Sequence, residues 1–193
     1  LNEGHPMGRV SQAQAQENRQ RVVATAARLF REKGTGISVA DVMQAAGLTH
    51  GGFYKQFASK DALVGEATAR AFAELEGRRT QAGDEHGGQR NAARQALIDW
   101  YLSAGHRDDA ADGCPSAGLA VDMAREAGDS AAHRVYADGV RDFAEWLAVE
   151  GEDDGLVRLA TMVGALLLAR ATHDSPLSDK ILHAAHEALS VSG

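Results

Sequence analysis

One cysteine, three prolines and a 5% share of aromatic residues are what this 193-residue chain has least of, and each scarcity excludes something. The lone Cys114 cannot close an internal disulfide, so a stapled secreted scaffold is ruled out. β-Branched and aromatic residues are sparse while Ala, Leu, Arg and Glu dominate, a balance that favours helix over strand. No window of eighteen uncharged apolar residues exists, so a membrane span is not expected. Residues 1–7 hold no apolar core of the kind a secretory signal needs, and a cytoplasmic location is the expectation. The chain does not begin with Met, and residues 1–15 read as a disordered tail or an expression remnant ahead of or around Met7.

Positive charge is also scarce overall, with a formal net charge of −7. Its distribution matters more than its sum. Residues 1–60 hold eight Lys/Arg against four Asp/Glu, whereas the other 133 residues hold 12 against 23. A segment of +4 on a body of −11 is what a separate phosphate-facing domain produces.

What is present is helical periodicity. From about Glu17 to Lys33 the apolar residues Val22, Val23, Ala26, Ala27, Leu29 and Phe30 recur at helical spacing, and Gly34 supplies a stop. Ser38 is an N-cap with Asp41 three residues on, opening a short helix that turns Val39, Val42, Met43 and Ala46 inward. Gly47 ends it and Leu48 plugs the turn; Thr49 is read as the cap of a third helix over 50–57, and Ser59 of a fourth over 60–79. Residues 80–90 read as a polar loop. Helices are then expected over 91–105, 115–126 (burying Leu119, Val121 and Met123), 130–149, 156–171 and 178–190. The fold class is therefore all-α with about nine helices: an N-terminal three-helix helix-turn-helix domain and a C-terminal helical domain.

Two short helices around a Gly-containing turn suit a helix-turn-helix, whose second helix presents its N-terminal residues to a major groove. Here that helix holds Phe53 and Phe57 four residues apart as anchors, leaving Thr49, His50, Tyr54 and Lys55 for DNA. Gly51 and Gly52 each cost about 1 kcal/mol relative to Ala in a helix. Close approach of the backbone to DNA gives a reason; close packing on a neighbouring helix is the competing one.

The segment from Gly36 to Leu63, with its Phe53-Tyr54-x-x-Phe57 block and Ser59-Lys60-Asp61-x-Leu63, resembles the DNA-binding signature of the tetracycline-repressor (TetR) family. The resemblance covers about residues 17–65. It implies a helix-turn-helix domain over 16–62, an effector-binding and dimerisation domain over 63–193, and a homodimer that reads double-stranded DNA at a pseudo-palindromic operator. Thr49, Tyr54 and Lys60 would then hold phosphates, and His50, Gly51 and Lys55 would sit nearest the bases, with Gly52 beside them. Family members often carry Lys or Arg where His50 stands and His where Lys55 stands, which leaves the operator sequence open. Ser38 would add a phosphate contact, although capping alone explains it; Arg19 and Arg21 are weaker candidates. The last two long helices would pair with their twins through Leu159, Val163, Leu166, Leu167, Arg170 and Leu182. The run Gly164–Ala169 fits that role physically as well, being too apolar for a monomer's surface helix.

A small-molecule effector needs a pocket with apolar walls and a few polar anchors. Trp100, Tyr101, Met123, Tyr136, Phe143, Trp146 and Met162 are the large side chains available, each of which also serves as plain core. Cys114 joins them because it precedes Pro115 at a helix start, where a helix dipole favours thiolate; Asp108, Asp109 and Asp112 oppose that. The Gly-Cys-Pro segment is similar to one subgroup of the family in which some members sense electrophiles or oxidants, so a redox-sensing regulator is the alternative reading. Two remote alternatives from other classes are a helical protein-binding adaptor and a metalloenzyme using His183 and His186. Neither a nucleophile triad nor a phosphate loop accompanies those histidines, so no enzyme activity, cofactor or metal is expected.

Overall fold

The computed structural model describes residues 12–126 and 128–190, and everything described is helix, turn or loop. Ten α-helices and one 3-10 helix follow in the order α1 (Gln12–Lys33), α2 (Val39–Ala45), the 3-10 helix His50–Lys55, α3 (Lys60–Glu85), α4 (Arg90–Tyr101), α5 (Ala104–Asp108), α6 (Pro115–Gly118), α7 (Ala120–Arg125), α8 (Ala131–Leu147), α9 (Gly155–Ala171) and α10 (Pro176–Ser190). Residues 12–15, expected in a tail, open α1. The remainder of that expectation, 1–11, lies outside the described residues.

Helix starts follow the capping chemistry. Ser38, Ser59 and Ser130 each accept from the amide three residues on, at 3.1, 3.0 and 3.0 Å. Thr49 precedes its helix without such a bond, a correction to its expected capping role. Gly34 and Gly47 have φ of +81° and +72° and close α1 and α2 in the left-handed conformation that only Gly adopts cheaply. The Leu48 amide donates to Met43 at 2.9 Å across the second of these turns.

Three helix boundaries differ from the sequence reading. The loop expected at 80–90 is helical to Glu85, because Gly83 alone is too small a penalty to end a helix packed on α4 and α8. The chain turns instead at Gly87 and Gly88, with φ of +60° and +77°. The helix expected over 91–105 stops at Tyr101, where the Ser103 hydroxyl donates to Trp100 O (2.7 Å) and accepts from His106 N (3.2 Å), starting a new turn. The helix expected over 115–126 breaks at Leu119, so that Val121 is 54% exposed rather than inward.

Two apolar cores result. The head core joins Val22, Ala26 and Phe30 of α1, Val42 and Met43 of α2, Phe53 and Phe57, and Leu63, Ala67 and Ala71 of α3; Leu119, Met123 and Ala132 enter it from the body. The body core holds Leu75, Leu97, Ile98, Tyr101, Cys114, Phe143, Leu147, Leu159, Met162 and Leu166 among others. Helix α3 thus serves both.

Candidate functional site

Phe53 and Phe57 are 0 and 3% exposed, their rings stacked at 5.3 Å, and they pin the 3-10 helix to the head core. This six-residue segment forms in place of the two-turn α-helix expected, consistent with the helix penalty of Gly51 and Gly52. With its inner face fixed, Thr49, His50, Gly51, Tyr54 and Lys55 are exposed together on the other side. Tyr54 is 70% exposed and its ring meets His50 edge-on at 6.3 Å. Gly52 is half-buried, with Met43 Cε at an ordinary 3.7 Å from where a Cβ would stand. Around Gly51 nothing lies within 4 Å, so close packing does not explain that glycine. Lys60 is half-buried at the first turn of α3.

Ser38 is exposed, but its hydroxyl is engaged: it accepts from Asp41 N and donates to Asp41 Oδ2 at 2.6 Å. Arg19 is a brace. Its guanidinium donates to Glu66 (2.6 Å) and Gln56 O (3.4 Å) and lies 4.8 Å from the Phe57 ring centre, tying the end of the 3-10 helix to α1 and α3. Arg21 is exposed on α1.

The expected ligand residues do not line a common cavity. Tyr101, Cys114, Phe143 and Met162, all at most 1% exposed, fill the body core. Met123 belongs to the head core, against which Tyr136 packs. The Tyr136 hydroxyl donates to Ser116 O at 2.6 Å, and burial pushes its pKa up to about 12. Trp100 and Trp146 border cavities, and different ones. The cavity at Trp100, about 540 Å³, is lined by Arg31, Glu74, Leu75, Gly77, Arg78, Gln81, Trp100, Asp112 and Gly113. Sequence reasoning missed these polar residues. One signal was available: Arg31 follows Phe30 and lies four residues beyond Ala27 on the buried face of α1, where an apolar residue is the norm.

Beside this cavity His106 is 3% exposed and stacked on Trp100 at 4.2 Å. Cys114 N–H donates to its Nε2 at 3.0 Å, so the proton sits on Nδ1, which donates to Tyr101 O at 2.7 Å. Burial, helped by the Arg170 and Arg78 charges, lowers the His106 pKa to about 4. The ring is therefore neutral and fixes the backbone before α6. The Tyr101 phenol is pushed well above its ordinary range by burial first, then by the adjacent Cys114.

The expected interface residues divide. Leu159, Leu166 and Leu182, at 4, 0 and 5% exposed, point into their own subunit, a correction to the sequence reading that set them on the surface. Arg170 is also turned inward, donating to Arg107 O (3.0 Å) and His106 O (2.8 Å). Val163 and Leu167 are half-buried. The outward face of α9 instead carries Val157, Ala160, Gly164, Leu168 and Ala171, with Val157 and Leu168 at 66 and 58% exposed. On α10 the corresponding stripe is Leu177, Ile181 and Ala184. His183 and His186 pair with separate carboxylates, Glu187 at 3.4 Å and Asp99 at 2.7 Å. Among the described residues no three potential metal ligands come together, and no helix is long and apolar enough to cross a membrane.

A helix-turn-helix head on a helical body is the architecture of DNA-binding regulators. Residues 22–67 match the family model described as bacterial regulatory proteins, tetR family. The chain is similar to a TetR transcriptional regulator from Chloroflexus aurantiacus J-10-FL, with a TM-score of 0.76 and 26% identity, covering 93% of this chain and 96% of that one. Escherichia coli NemR in its reduced form gives 0.73 and 20%, covering 89% and 95%. A TetR-family regulator from Agrobacterium tumefaciens gives 0.73 and 20%, covering 90% and 97%. No curated protein matches the sequence. Residues 22–67 thus resemble the DNA-binding segment of the tetR family, and the chain shares the fold of solved TetR-type regulators.

Proposed function

We propose that the chain is a dimeric, sequence-specific repressor whose hold on a pseudo-palindromic operator is released by a small-molecule ligand. The observation that carries this reading is the 3-10 helix: its aromatic anchors are buried while Thr49, His50, Gly51, Tyr54 and Lys55 are exposed as one surface. Thr49, Tyr54 and Lys60 are assigned to phosphates, and His50, Gly51 and Lys55 to base edges, with Gly52 allowing close approach and Ser38 kept to capping. A second copy of the chain fits the α9 and α10 stripes, because both are apolar, uncharged and built partly from small residues. The domain limits 16–62 and 63–193 belong to the same reading.

Release by modification of Cys114 draws support from the reduced state in which NemR was crystallised. The thiol here is 1% exposed within a filled core, which favours ligand binding over direct modification. Selection of bound fragments from random duplex DNA tests the main reading: a palindromic consensus is expected, with affinity falling steeply as salt rises. Enrichment of no site, or a salt-independent signal, rejects it. Release by an alkylating agent in wild type but not in Cys114→Ser would restore the thiol as the sensor.

A further inference from the structure

The cavity that Trp100 borders lies where the head meets the body. Arg31 comes from α1, Glu74, Leu75, Gly77, Arg78 and Gln81 from α3, Trp100 from α4, and Asp112 and Gly113 from the loop before α6. The Arg31 side chain is 1% exposed, yet its Nε has no hydrogen-bond partner. A buried guanidinium donor left unmatched, on a side chain that lines a cavity, costs free energy that an anionic oxygen would recover. Its Nη2 is already used, donating to Glu74 at 2.9 Å with Asp112 at 3.9 Å. Those two carboxylates are each held by a second arginine, Glu74 by Arg70 and Asp112 by Arg28. Arg78 adds a further cation and its guanidinium rests 4.4 Å from the Trp100 ring centre. Four arginines against two carboxylates leave the surroundings positive. Leu75 and the indole rim provide apolar wall, and a Cβ on Gly77 would meet nothing within 4 Å, so the floor there is open.

We infer that this cavity binds a small apolar monocarboxylate, its carboxylate taken by Arg31 Nε and Arg78 and its hydrocarbon part lying over Gly77 against Leu75 and Trp100. This names a ligand class for the repressor reading and rests on that reading for its effect on DNA. The coupling is built in: Asp112 pairs with Arg28 and Arg31, both on α1, so a carboxylate that claims Arg31 loosens the tie between the pre-α6 loop and the head.

Benzoate, benzamide and benzylammonium are titrated calorimetrically into the full chain, and into Gly77→Leu and Arg78→Gln. Gly77→Leu adds a side chain into open space on an exposed helix position, and Arg78 is exposed, so both variants keep the fold. Saturable binding is expected for benzoate alone, lost in Gly77→Leu and weakened at least about tenfold in Arg78→Gln. Equal binding of benzamide overturns the anionic class, and unchanged benzoate binding in both variants overturns the site. No benzoate binding to wild type overturns the inference outright. DNA selection without ligand is run in parallel. If it succeeds while benzoate neither binds nor weakens operator affinity, the inference fails and the repressor reading stands. If it enriches no site while benzoate binds as described, the repressor reading fails and the cavity assignment stands.

Discussion

His106 holds a neutral ring between Tyr101 O and Cys114 N–H, and neutrality has a pH cost. Its pKa falls from 6.5 to about 4 on folding, so between those values the unfolded chain binds more protons than the folded one. Stability is complete above pH 6.5 and drains as pH falls toward 4, by about 2 kcal/mol at pH 5. Urea unfolding at pH 7.5 and pH 5 measures it: wild type should lose about 2 kcal/mol more than His106→Gln, and parallel losses would refute the assignment. Gly51 gives the opposite kind of test. Since nothing surrounds its missing Cβ, Gly51→Ala should leave the melting temperature unchanged or slightly raised while weakening operator binding at least about tenfold. A melting temperature that falls with affinity unchanged would assign the glycine to packing. Residues such as Phe53, Phe57 and Tyr54 were legible in sequence from spacing alone. Arg31 was not, because periodicity marks a face without saying what a charged residue finds there.

Helix boundaries were legible where local chemistry decides them and illegible where packing does. The serine caps and the glycines at 34 and 47 act within four residues and were readable in advance. The continuation of α3 to Glu85 depends on α4 and α8, which lie far away in sequence. Close helix approach shows the same limit. A Cβ on Gly155 would overlap the backbone carbonyl of Ala144 where α9 begins against α8. Backbone cannot yield as a side-chain tip does, so Gly155→Ala should cost at least about 2 kcal/mol, lowering the melting temperature by roughly 5 °C or more. Differential scanning calorimetry reads it. Nothing in the sequence distinguishes Gly155 from Gly164, where a Cβ would meet nothing within the subunit.

At the scale of the whole molecule the outward stripe of α9 is the decisive surface. Leu168 is 58% exposed and carries no load inside its own subunit, so Leu168→Glu should fold normally. In the proposed dimer it would bury like charges from both copies, and analytical ultracentrifugation should find monomer where wild type gives dimer. Operator affinity should drop with it, because two heads no longer bind together. A Leu168→Glu chain that remains dimeric moves the interface elsewhere. Leu159 and Leu166, expected at an interface, are buried in their own subunit: an almost uniformly apolar helix lacks the polar face that would orient it, so they could not be told from Leu168 in sequence.

Because α3 lends Leu63, Ala67 and Ala71 to one core and Leu75 to the other, and Leu119, Met123 and Ala132 reach back into the first, no cut through the chain leaves two intact parts. Swapping bodies between chains of this fold by joining them at a single seam near residue 62 would strip the head of seven of its inner side chains. Modular exchange in this architecture requires a two-seam graft, with the stretch from 115 to 132 travelling with its own head.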